Sequence, residues 1–202
     1  MKNLLIALFF TLICSTGWAA DKVPAHPHIL VETTVGSFKL ELDGNAAPLT
    51  VANFLKLVDE GFYDGTIFHR VIPNFMIQGG GFTPGNVLKE PGETIPNESG
   101  NGLQNLRGTI AMARTADPHS AGSQFFINVV DNVSANPATS DLDPVKHTTK
   151  GRWGYAVFGF VFEGMDVVDK IVGVRTMPNG PGGAPAPVVP IIINKMSRIT
   201  YE

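Results

Sequence analysis

Residues 68–81 read FHRVIPNFMIQGGG. One cation, Arg70, stands in an apolar run made by Val71, Ile72, Phe75, Met76 and Ile77, with Gln78 close behind. A charge in apolar company is costly unless something uses it. Pro73-Asn74 interrupts the run, so the stretch reads as two short strands. Arg70, Met76 and Gln78 share parity, but the interruption leaves the face on each side of it open. The three glycines lack the strand-to-helix context and the Lys-Ser/Thr signature of a phosphate cradle, and read as a tight turn or a close backbone approach. By itself the stretch fits a core strand pair with one surface arginine. It also fits a site that combines a guanidinium, an amide, an aromatic ring and a thioether.

Working outward toward the N-terminus, Pro48 opens a helix. Val51, Phe54, Leu55 and Val58 give it one apolar stripe, and Gly61 stops it. Before it, residues 28–35 and 37–42 are β-rich runs on either side of Gly36 and read as a hairpin. Phe38, Leu40 and Leu42 alternate with Lys39, Glu41 and Asp43, the pattern of a half-buried strand. In the other direction, residues 84–108 read as a long surface connection. Residues 109–113 (TIAMA) and 122–130 (containing SQFFINVV) read as strands, with Gln124, Phe126 and Asn128 on one parity. A polar loop spans 133–152, a strand 155–162, and a second helix 164–174 with Met165, Val168 and Val172 as its stripe. A Pro/Gly loop over 178–187 and a closing strand region over 188–201 complete the chain. Many strands with two short amphipathic helices predict an all-β, mainly antiparallel, closed or nearly closed barrel.

The composition agrees. The chain has 202 residues, 44% hydrophobic and 16% charged, enough to bury a core in a single domain. Its 22 glycines and 15 prolines suit turns better than a helical bundle. A net charge of -3 argues against a nucleic-acid groove. Residues 1–19 carry Lys2, an apolar run and small residues before Ala19, which predicts a secretory signal peptide and a mature domain over 20–202. The run is too short to remain as a membrane span, so no membrane insertion is expected after cleavage. The lone Cys14 lies inside the leader, so the mature chain has no cysteine for a disulfide. The expected location is a bacterial periplasm or the secreted fraction. His26, His28, His119 and His147 show no metal-ligand spacing, and no metal site is expected. Ser123 lacks the second glycine of a hydrolase turn. His69 reads as a structural hydrogen-bonder.

Three motifs in order, FHRVIPNFMIQGG, MARTADPHSAGSQFFIN and GYAVFGFV with EGMDVVDKI, resemble the cyclophilins, most closely their exported bacterial members. The resemblance covers the chain from about His28 to the last strand. It implies an eight-stranded antiparallel β-barrel capped by two α-helices and peptidyl-prolyl cis-trans isomerase activity without a cofactor. By match to the family's motifs, Arg70, Gln78 and Phe126 are the expected catalytic residues. Phe75, Met76, Ala113, Arg114, Gln124, Leu142 and Tyr155 are the expected substrate-binding residues, with Ala113-Arg114 contributing mainly backbone. Tyr155 falls where many members carry histidine, and Arg114 where the family often has asparagine. Asp141 stands where many members carry a tryptophan that helps hold cyclosporin, and the 143–153 segment is longer than usual, leaving Trp153 room to fold back. Weak cyclosporin binding and a monomer are expected. The partners implied are proline-containing polypeptides, among them unfolded exported proteins. A binding module that grips proline segments as a holdase, with little turnover, is the alternative reading.

The chemistry is rotation about an X-Pro bond against a barrier of roughly 20 kcal/mol. No bond forms or breaks, so no nucleophile, metal or redox group is required. The enzyme must bind the twisted amide better than either planar form. Twisting returns the lone pair to the prolyl nitrogen, and a guanidinium in reach of that nitrogen is favourable only then. That is the role the resemblance gives Arg70.

Overall fold

A computed structural model describes residues 23–133, 142–144 and 153–200. The expected signal peptide, Cys14, Asp141 and His147 lie outside the described residues.

Strands β1 (His28–Thr33) and β2 (Gly36–Leu42) form the expected hairpin. Phe38, Leu40 and Leu42 point into the core while their neighbours are partly exposed. Helix α1 (Pro48–Asp59) begins with proline, whose missing N–H is no loss in a first turn. No side chain beside its N-terminus caps it. The Glu98 carboxylate does so instead, accepting from the Leu49 and Thr50 N–H groups at 3.1 and 2.8 Å. The predicted stripe Val51, Phe54, Leu55 and Val58 is buried, with Leu57 beside it.

Strands β3 (Phe68–Ile72), β4 (Met76–Gly79), β5 (Thr109–Met112), β6 (Phe125–Asn128) and β7 (Val157–Glu163) follow. Helix α2 (Met165–Val172), a two-residue ribbon of β8 (Thr176–Met177) and β9 (Ala186–Pro187), and β10 (Ile193–Ile199) end the described chain. The main sheet is antiparallel throughout, in the order β10-β1-β2-β7-β5-β6-β4-β3. It curls until its two edges meet. Ile67 bridges Ile192, the Gly65 N–H donates to the Ile193 carbonyl, and the Phe68 N–H donates to the Ile191 carbonyl. The eight strands and two helices agree with the expected barrel.

Local boundaries differ in three places. The closing strand is shorter than the predicted 188–201, because Ile191 and Ile192 serve the junction between the sheet edges and Val188 donates its N–H to the Arg175 carbonyl beside the two-residue ribbon. The Pro/Gly stretch read as loop contains the β8–β9 ribbon, and the Pro185 carbonyl accepts from the Val71 N–H along the open side of β3. Helix α2 buries Val167, Val168 and Ile171, whereas the predicted stripe of Met165, Val168 and Val172 keeps only Val168 fully inside. Its face is set by the hairpin turn: a Cβ at Gly36 would lie 3.0 Å from Val167.

The strands carry apolar residues on both faces. Inward, Val71, Ile77, Ile110, Phe125, Ile127 and Phe158 join the main core. Outward, Met76, Ala111, Phe126 and Val157 form a second cluster with Leu142. This second cluster, on the outside of the barrel wall, is where the site lies.

Candidate active site

Strand register settles the face left open by Pro73-Asn74. Asn74 takes a positive φ of 57°, and the chain reverses so that Ile72 faces Met76 and Arg70 faces Gln78. Gln78 then lies opposite Phe126, and Phe126 opposite Ala111. One row crossing β3, β4, β6 and β5 thus presents a guanidinium, an amide, an aromatic ring and a methyl group to the same side. Alternation sends Phe125 to the core and Phe126 to this row.

Above the row is a cleft of about 170 Å³ lined by Arg70, Phe75, Met76, Gln78, Ala113, Arg114, Phe126, Leu142 and Tyr155. Of the residues expected from the sequence, only Gln124 is outside this lining. It stands one step behind: its Oε1 accepts from Gln78 Nε2 at 2.9 Å, and Gln78 Oε1 accepts from Arg70 Nη1 at 3.0 Å. The chain of amides holds the guanidinium without cancelling its charge, because both partners are neutral. Burial pulls the Arg70 pKa below its ordinary value, with a weaker opposing effect from Tyr155. The cation also lies 5.8 Å from the centre of the Phe75 ring. Partial burial makes its field toward whatever enters the cleft stronger than it would be in open water.

The glycines make this arrangement possible. A Cβ at Gly81 would lie 2.4 Å from Gln124 Cγ. Gly80 has φ 79°, and a Cβ there would come within 2.9 Å of the Phe125 and Tyr63 rings. Close approach, one of the two uses the sequence allowed, is the one found.

Arg114 differs from expectation, because its side chain is engaged as well as its backbone. Nε, Nη1 and Nη2 donate to the carbonyls of Gly154, Thr115 and Trp153 at 3.2, 2.9 and 2.8 Å. Its guanidinium stacks 4.5 Å above Tyr155, and Tyr155 meets Phe126 edge-on at 5.6 Å. Ala113 donates its N–H to the Gln124 carbonyl at 2.9 Å. Trp153 does not fold back into the cleft. Its ring packs edge-on against His119 at 5.2 Å and is 46% exposed, while its carbonyl accepts from Arg114.

Sequence reasoning missed the support beneath the wall. Asn132 Nδ2 donates to the Phe75 carbonyl at 3.0 Å and to Asn128 Oδ1 at 2.7 Å. Asn128 donates to Asn105, and Asn105 donates to Asp143. The Asn132 carbonyl also accepts the Leu142 N–H, and the Leu142 carbonyl accepts the Tyr155 N–H. Three cleft residues thus hang from one buried amide network. Parity flagged Asn128, but Asn105 sits in a stretch that reads only as a connection, and Asn132 falls between the strand read over 122–130 and the loop read over 133–152. Replacing Asn132 by alanine leaves the Phe75 carbonyl and Asn128 short of a donor. A loss of about 2 kcal/mol in urea unfolding is expected, with a raised KM.

His69 occupies the register slip before Arg70 and is 3% exposed, its ring 4.7 Å from Phe82. Burial lowers its pKa from 6.5 to about 4, with a smaller lowering from Arg70 and an opposing effect of the Ile67 backbone. Its Nδ1 has no partner. Below about pH 6.5 the unfolded chain takes up this proton and the folded one does not until about pH 4. The contribution of this residue to stability is therefore expected to be complete at neutral pH and to fall across that window, by roughly 3 kcal/mol in all. Urea midpoints at pH 7 and 4.5 should separate in the native protein and converge in His69→Phe.

Residues 28–198 match the family model for cyclophilin type peptidyl-prolyl cis-trans isomerase/CLD. The chain belongs to the cyclophilin family. Among curated relatives, a peptidyl-prolyl cis-trans isomerase A of Dickeya dadantii is 44% identical over 200 residues, covering 98% of this chain and 99% of that protein. An isomerase of Streptomyces antibioticus is 53% identical over 165 residues, 81% of this chain and 93% of that one. Isomerase B of Escherichia coli is 53% identical over 152 residues, 75% and 88% of the two chains. The crystal structure of a Cryptosporidium parvum cyclophilin superimposes with a TM-score of 0.67 at 24% identity, covering 88% of this chain and 99% of its own, which shows the fold. This cyclophilin is a peptidyl-prolyl cis-trans isomerase, and its substrates are proline-containing polypeptides.

Proposed function

We propose that this cyclophilin lowers the rotation barrier by directing Arg70 at the prolyl nitrogen as the amide twists. The observation that carries this reading is the Gln124–Gln78–Arg70 chain at the lip of an apolar cleft. Phe126, Met76, Phe75 and Leu142 grip the proline ring and exclude water. The backbone at Ala113-Arg114 holds the preceding residue while the far side turns. A charge-assisted hydrogen bond contributes about 1.5–3 kcal/mol, roughly ten- to a few hundredfold in rate. The rest comes from orientation and the dry cleft.

The signal-like pattern over residues 1–19 supports action in the periplasm or outside the cell, assisting the folding of exported polypeptides, and the expected state is a monomer. With Asp141 in place of tryptophan and Trp153 directed away from the cleft, cyclosporin binds weakly. The test is a protease-coupled assay on the chain from residue 20 with a proline tetrapeptide, together with cell fractionation of the full-length protein. Peptide binding without acceleration would establish the holdase instead. Retention of the full-length protein in the cytoplasm would remove the exported role.

A further inference from the structure

Two arginines face the proline cleft, and among the described residues no carboxylate lines it. Arg107 and Arg198 are ion-paired, with Asp169 and Asp59. Arg70 is held by Gln78, and Arg114 by three carbonyls and a ring. In a chain of net charge -3, two uncancelled cations converge on one cleft.

Arg114 has a second neighbour. A cleft of about 300 Å³ adjoins the first, and Ala113, Arg114 and Gln78 line both. In the catalytic reading above, the residue before proline is held along Ala113-Arg114, beside the Arg114 guanidinium where this second cleft opens. The other charged residues lining it are Lys89 and Glu90. Lys89 donates to the Phe62 carbonyl and lies 4.7 Å over the Phe62 ring. The balance at the crossing point is positive.

We propose that Arg114 sets the substrate preference: the enzyme favours an acidic residue immediately before proline and disfavours a basic one. Each Arg114 guanidinium nitrogen donates to one carbonyl, which fixes the group in place but leaves its charge for the substrate. This inference rests on the catalytic reading above, since it assumes that the proline occupies the cleft over Phe126.

The experiment uses tetrapeptides with Glu, Ala or Lys before proline, measured by exchange NMR so that no coupling protease adds its own selectivity. The native enzyme should give a Glu-to-Lys ratio of kcat/KM of about ten in low salt, shrinking toward one as salt screens the charge. In Arg114→Gln the ratio should fall to about one. In Arg114→Lys, which keeps the charge but not the fork, most of it should survive. In Glu90→Gln it should rise. A native ratio near one, or a ratio that persists in Arg114→Gln, overturns the proposal. Absence of acceleration for all three peptides would instead overturn the catalytic reading on which it stands.

Discussion

On the mechanism proposed above, replacing Arg70 by alanine should lower kcat/KM by about a hundredfold while the protein stays folded. The magnitude follows from removing one fixed cationic donor aimed at charge that develops only on twisting. Because the planar substrate gains little from it, the loss falls on kcat more than on KM. The fold survives because Arg70 is only partly buried and Gln78, its one hydrogen-bond partner among the described residues, is also partly exposed, so water replaces the lost contact. Arg70→Lys restores charge but not the planar fork, and should recover part of the rate. Single-temperature kinetics with a thermal melt on the same sample decide it. Near-native turnover in Arg70→Ala would take the guanidinium out of the mechanism.

The second large effect separates two adjacent phenylalanines. Phe125 is fully buried and meets Phe54, Tyr63 and Phe68 edge-on at 5.8, 5.7 and 6.1 Å. Phe125→Ala should cost about 3–5 kcal/mol, through lost burial and the cavity left behind. Total stability for a domain of this kind is about 5–15 kcal/mol, so a large part of the margin goes. Phe126 is almost as buried but lies on the outer face, under the cleft. Its truncation opens onto solvent, so the structural loss is smaller. In the proposed placement the proline ring loses its main apolar surface, and activity per folded molecule should fall about tenfold or more. Urea unfolding and kinetics on both variants test the split. Equal destabilisation with Phe126→Ala still active would mean that the two faces of β6 do not have separate roles.

Much of this was legible in the residues. The alternation in β2 and the stripe of α1 reflect simple periods, and burial follows them. The motif resemblance named the cleft lining, including Leu142 from a stretch with no periodicity at all. Three features escaped for physical reasons. The face of α2 depends on how closely Val167 approaches Gly36, a distance no period encodes. The amide network joins residues 105, 128, 132 and 143, brought together only by the fold. Arg114 took a side-chain role because the carbonyls of residues 153 and 154 arrive from 39 and 40 positions away.

The junction between β3 and β10 bears on the company an isomerase keeps. Ile67, Phe68 and Val71 on one margin, and Ile193 on the other, already have backbone partners across the seam or in the β9 region. Met196 donates its N–H to the Asp64 carboxylate at 3.0 Å. Unpaired margins are the usual templates on which loose polypeptides add themselves as extra strands. At these positions the margins are already paired, so a proline-containing substrate finds no template there on which to add itself as a strand.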